Sequence, residues 1–367
     1  MSSLISTGIM FAATIPELIA VIISLNGYIK TKYLHFFYMF FTWFFLWLGN
    51  LLIGIAYLTF NFTIYRIGIV ISAPLAFAIM GLVDSISREH IHALKLFIIA
   101  TISTALFIFA FEVNSVSYNV SLLGETTLAM RGPFMITGSL TFIFSGLLWI
   151  YYMLKIHFHA PVSVKRYSSV NLIGAVLAGP GSFLAFSTGL IWIFPGSDYL
   201  LIGSGALLCA YAFWHQPELG YILTFKVFKL MCIKSESGVP IYSYDWDSRN
   251  IADPTLLSGA IQAISGILNE GLGKGFVKEV KFDEGMMLIH RTNDPALMVV
   301  LITSKSSPIL VNGLTQFATD FQKEFKQELN AKLLELRCFL SADALIKKNF
   351  PFLPIYNEKV ISMDSSK

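Results

Sequence analysis

The chain has 367 residues, of which 55% are hydrophobic and 13% are charged, and its mean hydropathy is +0.66. About a quarter of the residues of a soluble domain are charged, so this composition argues against a chain that is soluble throughout. The formal net charge of +3 comes without the basic patch on a folded face that nucleic-acid binding requires, and we expect no nucleic-acid partner.

Seven long apolar stretches lie before residue 216. A helix needs about 20 consecutive apolar residues to cross the hydrocarbon core of a bilayer, and each stretch is near that length. We therefore predict an α-helical membrane domain of seven transmembrane helices, in chain order 8–28, 34–58, 64–85, 94–113, 132–155, 168–194 and 198–215.

The basic residues between these stretches alternate in position. Lys or Arg follows the first, third, fifth and seventh stretches, whereas the connections after the second and sixth contain neither. Cytoplasmic loops collect Lys and Arg. We therefore expect a multi-pass protein of the cell membrane, with its amino terminus outside and everything after residue 215 in the cytoplasm.

Several polar side chains interrupt the apolar stretches or lie at their outer ends. Glu17 and Asn50 are at similar depth in the first two helices, and Arg66, Glu112 and Arg131 lie near the outer ends of the next three. Ionisable groups within a membrane usually face the bundle interior, so these five residues are candidates for an outward-facing ligand pocket. In the alternative interpretation Glu17 serves helix packing and the arginines extend to the outer interface.

The sixth stretch contains Gly179, Pro180 and Gly181 near its middle. Proline removes a backbone donor and clashes with the carbonyl one turn earlier, and glycine adds backbone freedom. This tripeptide predicts either a hinge that tilts one half of the helix when a ligand binds, or a static kink that serves packing.

Motifs of catalysis and cofactor binding are missing. We find no P-loop, no G-x-S-x-G, no H-E-x-x-H and no kinase signature. The spacing of Cys209, Cys232 and Cys338 fits no metal site. We therefore expect no enzymatic activity, no catalytic residue, no cofactor and no metal.

After residue 217 the pattern becomes that of a small mixed domain. Two strand-like runs, 222–233 and 239–246, form a predicted hairpin. A helix starts after Asp253 and Pro254 and ends at Gly271 or Gly273. Three further strands are expected, followed by a long helix and a short one. Their ranges are 276–282, 286–291 and 297–303 for the strands, and 308–336 and 343–349 for the helices.

This order of elements, with Gly-Val-Pro-Ile-Tyr-Ser at 238–243, resembles the longin/roadblock superfamily over residues 222–336. The resemblance implies a five-stranded antiparallel sheet with two main helices. It also implies an interaction domain that forms homodimers or binds small GTPases and catalyses nothing. Other mixed α/β folds, such as profilin-like sensory domains, have the same order of elements and remain alternatives.

The first half is similar to the amino-terminal seven-helix sensor region of some membrane histidine kinases, in its helix spacing and its aromatic content. The kinase half of those proteins is missing here: no phosphoacceptor histidine segment and no Gly-rich ATP-lid segment follows.

These expectations give three domains, 1–217, 218–350 and a polar tail at 351–367. The leading functional hypothesis is a receptor whose bundle acts on the cytoplasmic domain through the short linker 214–223, with a small GTPase as a candidate partner. The first alternative is a scaffold that the bundle anchors to the bilayer. Transport ranks third, because we find one broken helix and no internal repeat.

Overall fold

The structure, a computed structural model, describes residues 4–87, 93–120, 126–187, 196–235, 237–246, 255–256, 258–260, 263, 277–283, 285–293, 296–330 and 336–353. The chain divides into a helical unit, Met1–Thr224, and a sheet unit, Phe225–Lys367. The division therefore falls at Thr224, beyond the boundary at 217 that the composition suggested, and the segment between these two positions belongs to the helical unit.

The helical unit contains nine α-helices in the part of the chain that the structure describes. They are α1 (Leu4–Thr31), α2 (Leu34–Thr59), α3 (Phe62–Val70), α4 (Ser72–Ser87), α5 (Ala93–Ala110), α6 (Gly132–His159), α7 (Val162–Val176), α8 (Ser182–Ser187) and α9 (Ser197–His215).

Six helical segments among the described residues are long and apolar enough to cross a membrane. They correspond to the first six predicted spans. The seventh predicted span forms α9, which lies outside this set of six. The six segments are Thr7–Thr31, Leu34–Thr59, Phe62–Ser87, Ala93–Ala110, Gly132–His159 and Val162–Ala185.

The third span is interrupted at Ile71, between α3 and α4. Pro74 lies three residues further on and has no N–H to donate to the carbonyl of Val70, so the regular ladder of hydrogen bonds cannot continue through this turn. The two helices nevertheless continue as one span.

The sixth span contains a π-helical turn, Leu177–Gly181, which separates α7 from α8. The turn coincides with the Gly179-Pro180-Gly181 tripeptide. The Ser182 hydroxyl lies 2.8 Å from the carbonyl oxygens of both Ala178 and Gly179 and can donate its one proton to either, so the irregular turn keeps a donor. The end of the predicted span, 188–194, lies outside the described residues.

One element of the helical unit was not predicted. Strands β1 (Val116–Val120) and β2 (Thr126–Met130) pair antiparallel, with Val116 opposite Met130. The buried side chains of Val116 and Leu128 pack with residues of α1, α2 and α3. We call this end of the bundle the hairpin end, and the opposite end, where α9 stops at His215, the linker end.

The sheet unit has five strands, β3 (Val227–Lys234), β4 (Pro240–Asp245), β5 (Glu279–Phe282), β6 (Gly285–Asn293) and β7 (Ala296–Thr303). Their order in the sheet is β4-β3-β7-β6-β5, and all neighbours are antiparallel. The predicted five-stranded antiparallel sheet is confirmed. Strand β3 begins at Val227 and not at 222, because the chain forms a 3-10 helix at Pro217–Tyr221 before it reaches the sheet.

Three α-helices follow the sheet, α10 (Pro308–Glu324), α11 (Lys326–Asn330) and α12 (Asp343–Asn349), with a 3-10 helix at Leu336–Ala342. The predicted helix 308–336 is thus shorter and ends at Glu324, whereas the short helix 343–349 is confirmed. Helix α10 buries Leu310, Leu314, Phe317 and Phe321. These side chains recur at the spacing of one helical face, which places one part of the core of this unit between α10 and the sheet; a second apolar cluster, which includes Met231, Met287 and Met298, lies on the other face of the sheet.

The predicted helix after Asp253 and Pro254 falls largely outside the described residues. Residues 255–256, 258–260 and 263 are helical. The predicted helix end at Gly271 or Gly273 lies outside the described part of the chain, as does the predicted polar tail beyond residue 353.

Candidate functional site

A buried polar pair joins α1 to α2. The Asn50 side-chain amide donates a hydrogen bond to Glu17 Oε1 at 2.6 Å, and Glu17 is 0% exposed. Its second oxygen, Oε2, is buried and has no hydrogen-bond partner among the described residues. A polar group buried without its hydrogen bonds costs free energy. Such groups in membrane helices mark candidate functional sites.

The other three predicted pocket residues meet at Ser115, between α5 and β1. Arg66 Nε donates to Ser115 Oγ at 3.1 Å, and Arg66 Nη2 lies 3.5 Å from the carbonyl oxygen of Glu112. The backbone N–H of Arg131 donates to the carbonyl of Ser115 at 2.8 Å. The side chains of Glu112 and Arg131 are exposed. The five candidates therefore form two groups, a buried pair and a cluster at the hairpin end.

A tyrosine cluster at the hairpin end was not predicted. The rings of Tyr57 and Tyr65 stack with centroids 6.0 Å apart, and the Tyr57 hydroxyl hydrogen-bonds with those of Tyr65 and Tyr199. Asp198, in the first turn of α9, acts electrostatically on all three tyrosines. The sequence signal was weak, since these residues are far apart in the chain and follow no common spacing.

Strand β2 of the hairpin rests on this cluster. The Tyr57 hydroxyl lies 3.4 Å from the carbonyl oxygen of Leu128, and Tyr65 hydrogen-bonds to the backbone of Met130. The hairpin, the tyrosines and the start of α9 therefore form one connected polar layer at this end of the bundle.

Helix α9 lies against both α1 and the irregular sixth span with little side chain between them. A β-carbon added at Gly203 would meet the carbonyl oxygen of Ala13 at 2.6 Å, and one added at Gly174 of α7 would meet the carbonyl oxygen of Gly205 at 2.7 Å. Small residues allow this close approach of helices in membranes. Ala13 is one turn from Glu17, so α9 reaches the neighbourhood of the buried pair.

After α9 the chain packs back onto the bundle. In the 3-10 helix Pro217–Tyr221, Leu219 and Tyr221 are buried. The ring of Tyr221 meets the rings of Tyr33 and His35 edge-on, with centroids 5.1 and 5.4 Å apart. The first part of the predicted linker is therefore fixed to the start of α2.

Glu218 of this 3-10 helix is partly buried. Burial raises the pKa of its carboxyl group, and a hydrogen bond from Gln216 Nε2 to Glu218 Oε2, 2.8 Å long, opposes the rise. Burial, and then the charge of Glu218, raises the pKa of Tyr33. The segment thus contains a carboxyl group whose charge state affects how well the linker packs.

The sheet unit has a groove beside its edge strand β4. Its volume is about 610 Å³, and its lining includes Val239, Ile241 and Ser243 on one side and Thr255 and Ser258 on the other. Edge strands expose backbone groups that can pair with another chain. This groove is the candidate contact surface of the unit.

Groups of three or more His, Cys, Asp or Glu side chains that could hold a metal ion do not occur among the described residues. His290, on β6, has its Nδ1 3.4 Å from the hydroxyl of Thr315, and burial lowers its pKa. We assign it no chemical role.

Comparisons with known proteins provide no further constraint: no protein-family model, no curated protein and no solved structure matches this chain.

Proposed function

We propose that this protein is a membrane receptor or sensor. In this proposal α9 is a seventh transmembrane helix, the amino terminus lies outside the cell, and the sheet unit is cytoplasmic. The alternation of Lys and Arg between the helices supports this orientation. The odd number of spans then places the polar groups of the hairpin end on the outside and the output domain on the inside.

The observation that carries the proposal is the position of α9. Its backbone approaches α1 one turn from Glu17, and it also approaches α7 next to the π-helical turn. Its continuation, Pro217–Tyr221, packs on the start of α2. One helix therefore approaches α1 one turn from the buried polar pair, contacts the irregular span and continues into the linker.

A signal in this arrangement is a change in the Glu17–Asn50 pair that shifts α9 and, through it, the linker. Only two residues separate Thr224, where the helical unit ends, from the start of β3 at Val227. A connection this short is no slack tether, so a shift of the 3-10 helix displaces β3. Such coupling requires two states of the bundle with different contacts. The π turn with its Gly179-Pro180-Gly181 tripeptide is the candidate hinge between them.

We further propose that the sheet unit is a longin/roadblock-like interaction domain that recruits a small GTPase or pairs with a second copy. The order of elements in the sequence supports this, together with a sheet in which the first hairpin, β3–β4, lies beside the last strand, β7. The groove along β4 is where we place the contact.

The test uses hydrogen–deuterium exchange of the full chain in detergent. Asn50→Leu removes the amide that holds Glu17, and we expect faster exchange both in Pro217–Tyr221 and in β3. Insertion of a six-residue linker of alternating Gly and Ser after Thr224 should abolish the faster exchange that Asn50→Leu causes in β3. It should preserve the faster exchange in Pro217–Tyr221. A matched insertion in the turn after Ser237 is the control. If Asn50→Leu speeds exchange in β3 equally with and without the linker insertion, mechanical coupling is ruled out.

A membrane-anchored scaffold is the second candidate, because the sheet unit is a compact unit with its own core. Replacement of the helical unit by an unrelated anchor distinguishes the two functions. A scaffold would recruit the same nucleotide-dependent GTPase with either anchor. A receptor would instead show recruitment that Asn50→Leu alters in the full chain and that changes when the anchor is exchanged.

A further inference from the structure

The sequence contains two acceptor motifs for N-linked glycans. The motif is Asn-x-Ser or Asn-x-Thr, where x is not proline, and it occurs at 61–63 (Asn-Phe-Thr) and at 119–121 (Asn-Val-Ser). Both motifs lie in connections that the proposed orientation places outside the cell, after the second and the fourth span. The parts of the sequence assigned to the cytoplasm contain no such motif. Glycosylation at either position therefore rests on the proposed function, which fixes this orientation.

The two motifs differ in how far they reach from the membrane. Asn61 is two residues beyond Thr59, the end of α2, and α3 begins at the next residue. Asn119 is nine residues beyond Ala110, the end of α5. An extended chain spans at most about 3.3 Å per residue, so Asn119 of the nascent chain reaches up to about 30 Å from α5, whereas Asn61 reaches about 7 Å from α2. A transferase with its active site outside the bilayer has access to Asn119.

In the folded chain Asn119 lies on the outer face of the β1–β2 hairpin. Val116 and Leu128 are buried and pack with residues of the bundle. Tyr118, directly opposite Leu128, lies on the same face, with its ring centroid 5.0 Å from that of Phe62. Successive side chains of a strand point to opposite faces. The side chain of Asn119 therefore points away from the bundle.

The two asparagine side chains also differ in their hydrogen bonds. Asn61 is the N-cap of α3, and its Oδ1 accepts from the backbone N–H groups of Thr63 and Ile64 at 2.9 and 3.2 Å. Asn119 is partly exposed, and within the described part of the chain its only hydrogen bond outside the strand ladder is made by its backbone carbonyl, 3.4 Å from the Thr127 hydroxyl. A substituent on the Asn119 side chain therefore disturbs no side-chain hydrogen bond there.

We propose that Asn119 is the acceptor of an N-linked oligosaccharide, which an oligosaccharyltransferase of the host cell adds. The donor is an oligosaccharide joined to a polyprenyl-type lipid through a diphosphate. The side-chain nitrogen of Asn119 attacks the anomeric carbon of the first sugar. The nitrogen–carbon bond forms as the bond from that carbon to the diphosphate oxygen breaks, the lipid diphosphate leaves, and a base of the transferase takes the amide proton. The glycan then stands on the face of the hairpin that is turned away from the bundle.

Translation of the full chain with eukaryotic rough microsomes tests this site, because the microsomal lumen corresponds to the outside of the cell. The change in gel mobility is read on denatured protein and does not require a folded variant. The wild type should carry one glycan, which peptide-N-glycosidase removes with conversion of Asn119 to aspartate. Asn119→Gln and Ser121→Ala should each abolish the glycan, whereas Ser121→Thr should retain it, since the motif accepts either hydroxyl.

The matched control is Asn61→Gln, which removes the other motif of the same sequence type. It should leave the glycan of the wild type in place. A wild type with two glycans, or with one glycan that Asn61→Gln removes, would overturn the assignment.

A second arm separates a wrong site from a wrong orientation. A flexible tail with its own Asn-Val-Ser motif, placed before Met1, should be glycosylated when the amino terminus is outside. A glycosylated tail together with an unmodified Asn119 would overturn this site and leave the receptor orientation standing. An unmodified tail before Met1, with glycosylation of the same tail placed after Lys367, would overturn both.

Discussion

The imidazole of His35 occupies the space that a side chain at position 220 would need. A β-carbon built on Gly220 would lie 2.5 Å from His35 Nδ1, closer than non-bonded atoms approach. The ring of His35 is buried among those of Phe36, Phe213 and Tyr221, so it has little room to move away. Glycine at position 220 is therefore what allows the linker to pack on the start of α2.

Gly220→Ala should detach or displace the 3-10 helix. We expect a loss of about 1–3 kcal/mol in the free energy of unfolding, as for overpacking of a core, and faster hydrogen exchange in Pro217–Tyr221. Gly146→Ala in α6 is the control, because a β-carbon there would meet nothing within 4 Å. It should be neutral or slightly stabilising. If both variants unfold like the wild type, the contact does not hold the linker.

The Glu17–Asn50 pair predicts an asymmetry between two substitutions. Asn50→Leu leaves a buried carboxyl group without its donor and should destabilise the bundle by about 1–3 kcal/mol. Glu17→Gln keeps an oxygen that can accept from Asn50 and should cost much less. Thermal unfolding of both variants in the same detergent measures the difference. Equal effects of the two changes would show that the hydrogen bond contributes little.

The linker should pack better in acid than in base. The pKa of Glu218 is raised in the folded state, because burial disfavours its charged form. The folded chain therefore holds the proton more tightly than the unfolded chain. The stabilisation is complete below the ordinary pKa of a glutamate and is lost as pH rises through the raised pKa.

Glu218→Gln should remove this dependence. Its melting temperature should match that of the wild type in acid and exceed it increasingly as pH rises. Gln216→Ala, which removes the hydrogen bond to the carboxylate, should shift the wild-type dependence to higher pH. Parallel profiles of Glu218→Gln and the wild type would contradict this assignment.

Asp320 should show the opposite dependence. Its carboxylate accepts from Lys348 Nζ at 2.8 Å and from Asn349 Nδ2 at 3.2 Å, and the hydrogen bond from Lys348 is the main cause that lowers its pKa. The stabilisation is present above the ordinary pKa of an aspartate and is lost as pH falls through the lowered value.

Substitutions of the two partners of the Asp320–Lys348 ion pair should lower the free energy of unfolding by different amounts. Lys348 is 65% exposed, so Lys348→Ala should cost less than about 1 kcal/mol. Asp320→Ala also removes the acceptor of Asn349 and of Gln316 and should cost more. Chemical unfolding of the full chain, monitored in the sheet unit, measures both. A larger loss for Lys348→Ala would show that the ion pair dominates.

The sequence predicts seven spans, and six of them match helices that are long and apolar enough to cross a membrane, because a membrane sets their length and composition. It also placed Glu17 and Asn50 at one depth, and the structure joins them by a hydrogen bond. Depth is a one-dimensional quantity that counting along a helix provides. Counting does not give the direction in which each side chain points around the bundle. The sequence therefore does not separate the cluster at Ser115 from the buried pair.

The errors in the sheet unit have a common origin in tertiary contacts. Residues 222–226 were assigned to a strand because they are apolar, yet the chain enters the sheet only at Val227. The prediction of a helix over 308–336 rests on apolar residues at helical spacing from Leu310 to Phe325. In the structure Phe325 is the C-cap of α10, with its ring centroid 4.7 Å from that of Phe321 and 5.2 Å from that of Phe339. Apolar spacing alone does not reveal which neighbour buries a residue.

The two glycines of α9 have a consequence for how stiff the bundle is. Positions 203 and 205 are separated by about 200° around the helix axis, so bare backbone faces α1 on one side and α7 on the other. Side chains between helices absorb small displacements by changing rotamer, whereas main-chain atoms in direct contact have no such compliance. At this level we expect α9 to act as a rigid spacer, so that a sideways step of α1 also displaces α7.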